Sequence, residues 1–263
     1  MNASRYRLSA ARAELFLPPA VICSGLIGWE IAAQAGWISD LFFPAPTLIV
    51  VTLVEMLGSG DFWISICMTL YRLIAGVAAG AGVGLVLGWL MGAERPVRVA
   101  LDPIVAVLHP MPKLAIFPIF LIIFGIGETS RITLIALAAF FPMLLNTLAG
   151  VQQIDRAYWE VATNYGAGWK AMLLQVVVPG SLPMALTGLR LALNNALVVA
   201  IAIEMLSAHK GLGAHLWMAW QTLRTEELYA TLILIGMLGL AFNGMVQTMT
   251  RRLLPWHVVF SNH

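Results

Sequence analysis

Charge is scarce in this chain. Of its 263 residues only 11% are Asp, Glu, Lys or Arg, against roughly a quarter in a soluble domain. Net charge is +2 and the basic residues form no patch, which leaves nothing to hold a nucleic acid. Cysteine is nearly absent too. Cys23 and Cys67 both sit in apolar stretches, where a thiol acts as a small hydrophobe, and no Cys/His pair stands at metal-ligand spacing. No nucleophile–base pair stands out, and the phosphate-cradling pattern G-x-x-x-x-G-K-[ST] is missing. Nothing alternates over ten-residue segments as the strands of a membrane barrel do.

Apolar length is what the chain has. Hydrophobic residues make up 60% of it, and runs close to the length that crosses a bilayer recur. The pattern is that of an all-α polytopic membrane protein with about six transmembrane helices. It reads as one domain over 1–263, with a core at 60–250. The spans fall near 14–36, 64–92, 101–125, 130–150, 182–206 and 227–250. The third is expected to be broken by Pro103, Pro110, Pro112 and Pro118. FFPAPTLIVVTLVEMLGSGDFW, between the first two, reads as a short interfacial or external helix. Arg5, Arg7 and Arg12 precede the first apolar run as in a signal peptide. No small-residue cleavage site follows in WEIAAQAGW, so the first span is read as retained.

Lys and Arg set the orientation. With the N-terminus inside, the inner segments hold Arg5, Arg7, Arg12, Arg95, Arg98, Arg156, Lys170, Arg251 and Arg252, and the outer ones Arg131, Lys210 and Arg224. Both termini and the segment 151–179 are therefore expected in the cytoplasm. The second span carries Gly76, Gly80, Gly84, Gly88 and Gly92, a smooth stripe that another backbone can approach closely. Such a stripe serves static packing or a helix that slides during a transport cycle.

One segment breaks the apolar pattern: RAYWEVATNYGAGWKAMLLQVVVP, 156–179. As a helix over 156–165 it places Tyr158, Val161, Ala162 and Tyr165 near one face, with Glu160 and Asn164 on another. Gly166 suits a left-handed helix end. A second amphipathic helix is expected to start from Gly168 and to close at Pro179. Helices this short are marginal alone in water and need something to hold them.

The spacing of this loop resembles that of ATP-binding-cassette (ABC) importer permeases: E-A-A, three residues, G, nine residues, I, one residue, L-P. Glu160, Val161 and Ala162 stand at the E-A-A positions, then Gly166, then Val176, Val178 and Pro179. The departures are Val161 for Ala and valines for Ile and Leu. Further segments resemble the branch that carries sulfonates such as taurine, nitrate, bicarbonate and related small anions: Trp29–Glu30, the external Phe43-Pro44-Ala45-Pro46, the block from Pro112 to Gly150, and GLRLALNNALVVAIAIEML followed by GLG at 211–213. Some members of that branch carry thiamine precursors or riboflavin, which stands as the alternative cargo.

The resemblance implies the type I importer permease fold. It implies that 151–179 is a coupling loop, with Glu160, Val161, Ala162, Gly166, Ala167, Gly168 and Pro179 presenting a helix to a cytoplasmic ATPase, and with Pro179 setting the start of the fifth span. The implied partners are two ABC ATPase subunits, an external substrate-binding protein, a second permease copy and the lipid bilayer of a bacterial cytoplasmic (inner) membrane. No cofactor is implied on this chain itself. ATP and Mg belong to the partner ATPase, so this subunit translocates and is not an enzyme.

Ionisable and polar groups inside spans are functional candidates. His109 and Lys113, Asn146, and Asn194 with Asn195 are candidates for the translocation pathway, with helix packing as the competing role. Arg190 shares the fifth span. Arg72 is expected to snorkel to the outer interface. Glu204 is expected to organise an external gate or to bond the GLG turn, and Met205, Trp217, Met218 and Trp220 to pack or anchor at the interface. A secondary transporter would need coupling carboxylates, and the spans offer few, among them Glu30, Asp102 and Glu204.

Overall fold

A computed structural model describes residues 3–254, with side chains from Leu17 onward. The side chains of Arg5, Arg7 and Arg12, and the C-terminal tail, on which the expected position of the termini partly rests, lie outside the described residues. Everything regular among the described residues is helix. In chain order the elements are α1 (Ala3–Gln34), α2 (Pro46–Leu57), α3 (Gly60–Ala93), α4 (Arg95–Leu108), α5 (Lys113–Phe124), α6 (Glu128–Gln152), α7 (Arg156–Asn164), α8 (Trp169–Met172), a π-turn (Leu173–Val177), α9 (Val178–Ser207), α10 (Leu212–Gln221) and α11 (Thr225–Leu253).

Four of the expected spans are helices long and apolar enough to cross a bilayer: α3, α6, the continuous Trp169–Ser207 and α11. A bent pair, α4 with α5, is a candidate fifth. The first expected span lies in α1, which has the length at 32 residues. Pro18, Pro19, Glu30 and Gln34 leave its described part less apolar than the other four.

The third expected span, 101–125, is corrected in detail. It is two helices meeting at 101°. The break falls at His109-Pro110-Met111-Pro112. There two prolines lack donors; His109 keeps helical dihedrals, and the backbone turns extended at Pro112, the N-cap of α5. Pro103 and Pro118, expected to help break the span, lie inside α4 and α5. α4 also starts earlier than expected, at Arg95, and buries none of its residues.

The chain divides into two compact units. The first runs through Trp63 and includes His215–Leu234. Its organising contact explains the Trp-Glu and Phe-Pro-x-Pro segments together. Ala45, the N-cap residue of α2, has no side-chain oxygen to offer. Glu30 of α1 supplies one instead, accepting from the Thr47 amide at 3.0 Å and from the Thr47 hydroxyl at 2.7 Å. Pro46 opens α2, where a missing N–H costs nothing. Trp29 meets Tyr229 edge-on at 5.6 Å, and the Tyr229 hydroxyl donates to the Phe42 carbonyl. Phe62, fully buried, meets the ring of His215 edge-on at 5.2 Å.

The second unit comprises Ile64–Ala214 and the chain from Ile235. Here the glycine stripe of α3 lies against α6. A Cβ on Gly84 would come within 2.6 Å of the Phe140 carbonyl, and one on Gly88 within 2.7 Å of Thr147 Cβ. At Gly80 it would overlap the backbone carbonyl of Ala136. α6 meets α9 in the same way through Gly150, beside Ser181 and Met184, and Gly188, beside Asn146. Ala192, Ala196 and Ala200 of α9 are fully buried at one-turn spacing. Small residues at helix contacts let backbones approach, the usual basis of packing where lipid removes the hydrophobic drive.

Candidate functional site

The 151–179 segment folds as a short helix, a tight turn and a second helical start. Asp155 caps α7, its Oδ1 accepting from the Ala157 amide at 2.9 Å. The C-terminal end is closed by two crossed bonds: the Ala167 amide donates to the Ala162 carbonyl and the Gly166 amide to the Thr163 carbonyl, both at 2.9 Å. Gly166 takes φ +71°, the left-handed conformation that this type of cap needs and that glycine adopts without steric cost. Gly168 then stands in extended conformation as the N-cap of α8.

α7 turns much of its apolar surface outward. Tyr158, Val161 and Tyr165 are exposed, Tyr165 at 89%, while Trp159 and Ala162 are half-buried. Ala162 shares the face of Tyr158, Val161 and Tyr165, as expected, on its more buried side. Glu160 is exposed and has no hydrogen bond or ion pair among the described residues. Between α7 and the following helix lies a groove of about 420 Å³ lined by Tyr158, Val161, Ala162, Tyr165, Ala171 and Val176.

The expected stop at Pro179 is not found. From Trp169 the helix runs without interruption to Ser207, 39 residues. A proline inside an α-helix removes one hydrogen bond and crowds the carbonyl four residues earlier. Here the wider π-turn at Leu173–Val177 comes directly before it, and such a bulge takes up the misfit. The helix that follows the turn at Gly166–Gly168 is thus continuous with the fifth expected span.

At the other end of α9 lies a group of charges in which Arg72 has a role that sequence reading assigned otherwise. Arg72, expected to snorkel, is 2% exposed and reaches three partners. Its Nε and Nη2 donate to Glu128 at 2.6 and 2.8 Å, and its Nη1 donates to Glu204 and to the Lys210 carbonyl, each at 2.7 Å. Arg131 adds a bond from Nη1 to Glu128 at 2.7 Å and one to the Ser207 carbonyl. Two cations and two carboxylates therefore balance. Glu204 also accepts from the Thr69 hydroxyl at 2.8 Å and from the Gly213 amide at 3.0 Å. It bonds the GLG turn, one of its two expected roles. Gly211 sits at φ +131° with the Glu204 carboxylate where a side chain would be. The signal in the sequence was the intramembrane Arg and Glu themselves. Their pairing across 132 residues left no local trace.

The remaining candidates are scattered. His109 and Lys113 flank the α4–α5 bend, Lys113 donating to the His109 carbonyl and lying 5.3 Å over the Phe141 ring. Asn146 donates to the Pro142 carbonyl at 2.8 Å beside Gly188. On α9, Asn194 is half-buried and Asn195 exposed. The structure does not gather these five into one site.

Together these features define a class: a multi-pass helical membrane protein whose loop presents a short helix with an exposed apolar face before a continuous span. The chain belongs to the family of binding-protein-dependent transport system inner membrane components, which matches residues 80–256. It is accordingly a permease subunit of the ABC importer type. It is 33% identical over 242 residues to a putative aliphatic sulfonates transport permease protein of Bacillus subtilis, covering 92% of this chain and 86% of the relative. It is 35% identical over 234 residues to the taurine transport system permease protein of Escherichia coli, covering 87% and 85%. A nitrate import permease protein of Leptolyngbya laminosa is 33% identical over 196 residues, covering 74% and 70%. A solved bacterial alginate ABC transporter shares the fold, with a TM-score of 0.66 at 16% identity over 96% of this chain and 98% of that one.

Proposed function

We propose that this chain is the membrane-spanning half of an importer for a small anion, aliphatic sulfonate or taurine first and the nitrate or bicarbonate class next. The exposed apolar face of α7, seated on a helix that runs unbroken from Trp169 to Ser207, carries the reading. A cytoplasmic ATPase gripping Tyr158, Val161 and Tyr165 would move the fifth span as a lever, a rigid-body change of access. Nothing in this chain binds nucleotide phosphates in the known loop pattern, so ATP and Mg are assigned to that partner. An external binding protein delivers the anion. One loop per chain, with two ATPases, calls for a second copy. The whole chain acts as one permease domain in the bacterial inner membrane, with both termini and the loop in the cytoplasm, as the distribution of Lys and Arg supports. Asn194 and Asn195, with His109, Lys113 and Asn146, are proposed along the path. The sulfonate preference is supported by the likeness to an aliphatic sulfonates permease and a taurine permease.

The test is reconstitution of the chain with its ATPase and binding protein, with uptake of taurine, ethanesulfonate and nitrate measured. Tyr165→Ala and Glu160→Ala should uncouple ATP hydrolysis from uptake, or release the ATPase, while the spans stay folded. Uptake that proceeds without any ATPase would remove the proposal in favour of a secondary transporter.

A further inference from the structure

α9 is apolar for most of its length, and its exposed side mixes polar groups with Leu191 and Val198. Thr187, Arg190, Asn195 and Val198 are exposed and Asn194 is half-buried. At 100° per residue, positions 187, 190, 194, 195 and 198 form one stripe along the helix. Arg190 is its centre. It lies twelve residues, about 18 Å of helix axis, past Val178 and seventeen residues, about 26 Å, before Ser207. Asn243, its neighbour on α11, lies ten residues, about 15 Å, before the end at Leu253. Both lie well away from the ends of helices long and apolar enough to cross a membrane.

A guanidinium at that depth is costly against lipid, so such groups face protein or a water-filled cavity. Among the described residues no carboxylate pairs with Arg190, unlike Arg72, Arg131 and Arg224. Its bond among the described residues is from Nε to the Asn243 Oδ1, at 3.1 Å. That contact orients the group through its side edge and leaves both terminal nitrogens, the edge that grips two oxygens at once, without a partner among the described residues. A cation that is held in place and uncompensated is a binding group waiting for an anion. The stripe adds amide and hydroxyl groups one turn away on each side.

We propose that Arg190, positioned by Asn243, binds the transported oxyanion within the membrane, and that the Thr187–Asn195 stripe of α9 lines the aqueous path. This rests on the reading of the chain as a small-anion importer. The ligand class is a trigonal or tetrahedral oxyanion, sulfonate or nitrate, which a planar fork of donors can hold bidentately. Arg190 is a specificity residue in this account, since a neutral or cationic solute gains nothing from it.

The experiment uses the full complex of permease, ATPase and binding protein in proteoliposomes, with taurine, ethanesulfonate and nitrate as probes. Arg190→Gln should cut uptake by about tenfold or more, the scale of one charged hydrogen bond, while basal ATP hydrolysis and ATPase binding persist. Arg190→Lys should recover part of the loss, because it keeps the charge but not the fork. In a second arm, Thr187→Cys and Asn195→Cys in a Cys23→Ser/Cys67→Ser background should react with charged, water-borne thiol reagents. Taurine supplied with its binding protein should slow that reaction. These variants leave Arg190 intact, so the arm stands even if Arg190→Gln fails to fold. If the wild type imports the anions and Arg190→Gln imports them equally well, the inference is overturned and the importer reading stands. Thiols that react only with neutral, membrane-soluble reagents place the stripe against lipid and overturn it too. A folded wild-type complex that takes up none of the anions sinks both.

Discussion

The Arg72 guanidinium and the Glu204 carboxylate, 132 residues apart, meet at 2.7 Å with side chains 2% and 1% exposed. Each holds more than the other. Arg72 also binds Glu128, and Glu204 also binds Thr69 and the GLG turn. The pair therefore joins α3, the start of α6, the end of α9 and the turn into α10.

Removing one member of a buried pair costs about 3–5 kcal/mol, because the other stays buried without compensation. Arg72→Gln leaves two carboxylates facing each other and should be the worst single change. Glu204→Gln leaves Arg72 its bond to Glu128 and should be milder. The double replacement Arg72→Met with Glu204→Leu should be more stable than Arg72→Gln alone. Thermal unfolding in detergent micelles checks the order, and a double variant weaker than either single one would refute it.

The glycine stripe offers a matched control within one helix. A Cβ at Gly80 would overlap the Ala136 backbone, whereas one at Gly82 would meet nothing within 4 Å. Gly80→Ala should force α3 away from α6 and lower the yield of folded protein. Gly82→Ala should be neutral or stabilising by up to about 1 kcal/mol, the helix preference of alanine over glycine. Size-exclusion profiles and thermal unfolding of the two variants decide it. Equal behaviour would mean that the stripe is not a tight contact.

At Gly166 space is free, so a substitution there tests backbone alone. Alanine in the left-handed conformation costs about 1–2 kcal/mol. The cap bonds of Gly166 and Ala167 should then open more often, with amide exchange in the loop faster by about five- to thirtyfold. Gly166→Asn should fall between alanine and the wild type, since asparagine visits this region more readily. Hydrogen exchange resolved by mass spectrometry reads the effect directly, and unchanged exchange in Gly166→Ala would count against the cap.

His215 gives the first unit a pH dependence. Burial pushes its imidazole below the ordinary histidine value, while Glu227 and Asp61 pull it back in part. Folding thus favours the neutral ring. Its contribution is complete above the unfolded value, about pH 6.5, and shrinks as pH falls toward the lower folded value. Tm should therefore be lower near about pH 5.5 than near about pH 7.5, and His215→Phe should narrow that difference. A variant with the same pH difference as the wild type would show that other groups carry it.

Much of the 151–179 loop was legible in the sequence because its determinants are local. The helix expected over 156–165, its closure at Gly166 and the shared face of Tyr158, Val161, Ala162 and Tyr165 follow from spacing, and the spacing also carried the family resemblance. The glycine stripe was legible for the same reason, though not which helix would fill it. Proline was misread twice, and the two cases share a cause. Pro110 and Pro112 break a helix whereas Pro103 and Pro118 do not, and Pro179 is absorbed by a π-turn. Whether a missing donor ends a helix depends on what packs around it, which the sequence does not state.

By itself, then, the sequence determined the apolar class, most of the spans, the charge bias between the two sides and the short polar helix. All of these depend on composition or on residues three and four apart. Tertiary structure decided the Arg72–Glu128–Glu204 cluster, the Glu30 cap on Thr47, the bend before Lys113 and the Arg190–Asn243 contact. Except for the bend, each joins groups 17 to 132 residues apart. A charge buried in a membrane must find its partner wherever the packing of helices brings one. That packing is set by the shapes of whole faces, so the partner cannot be found by reading along the chain.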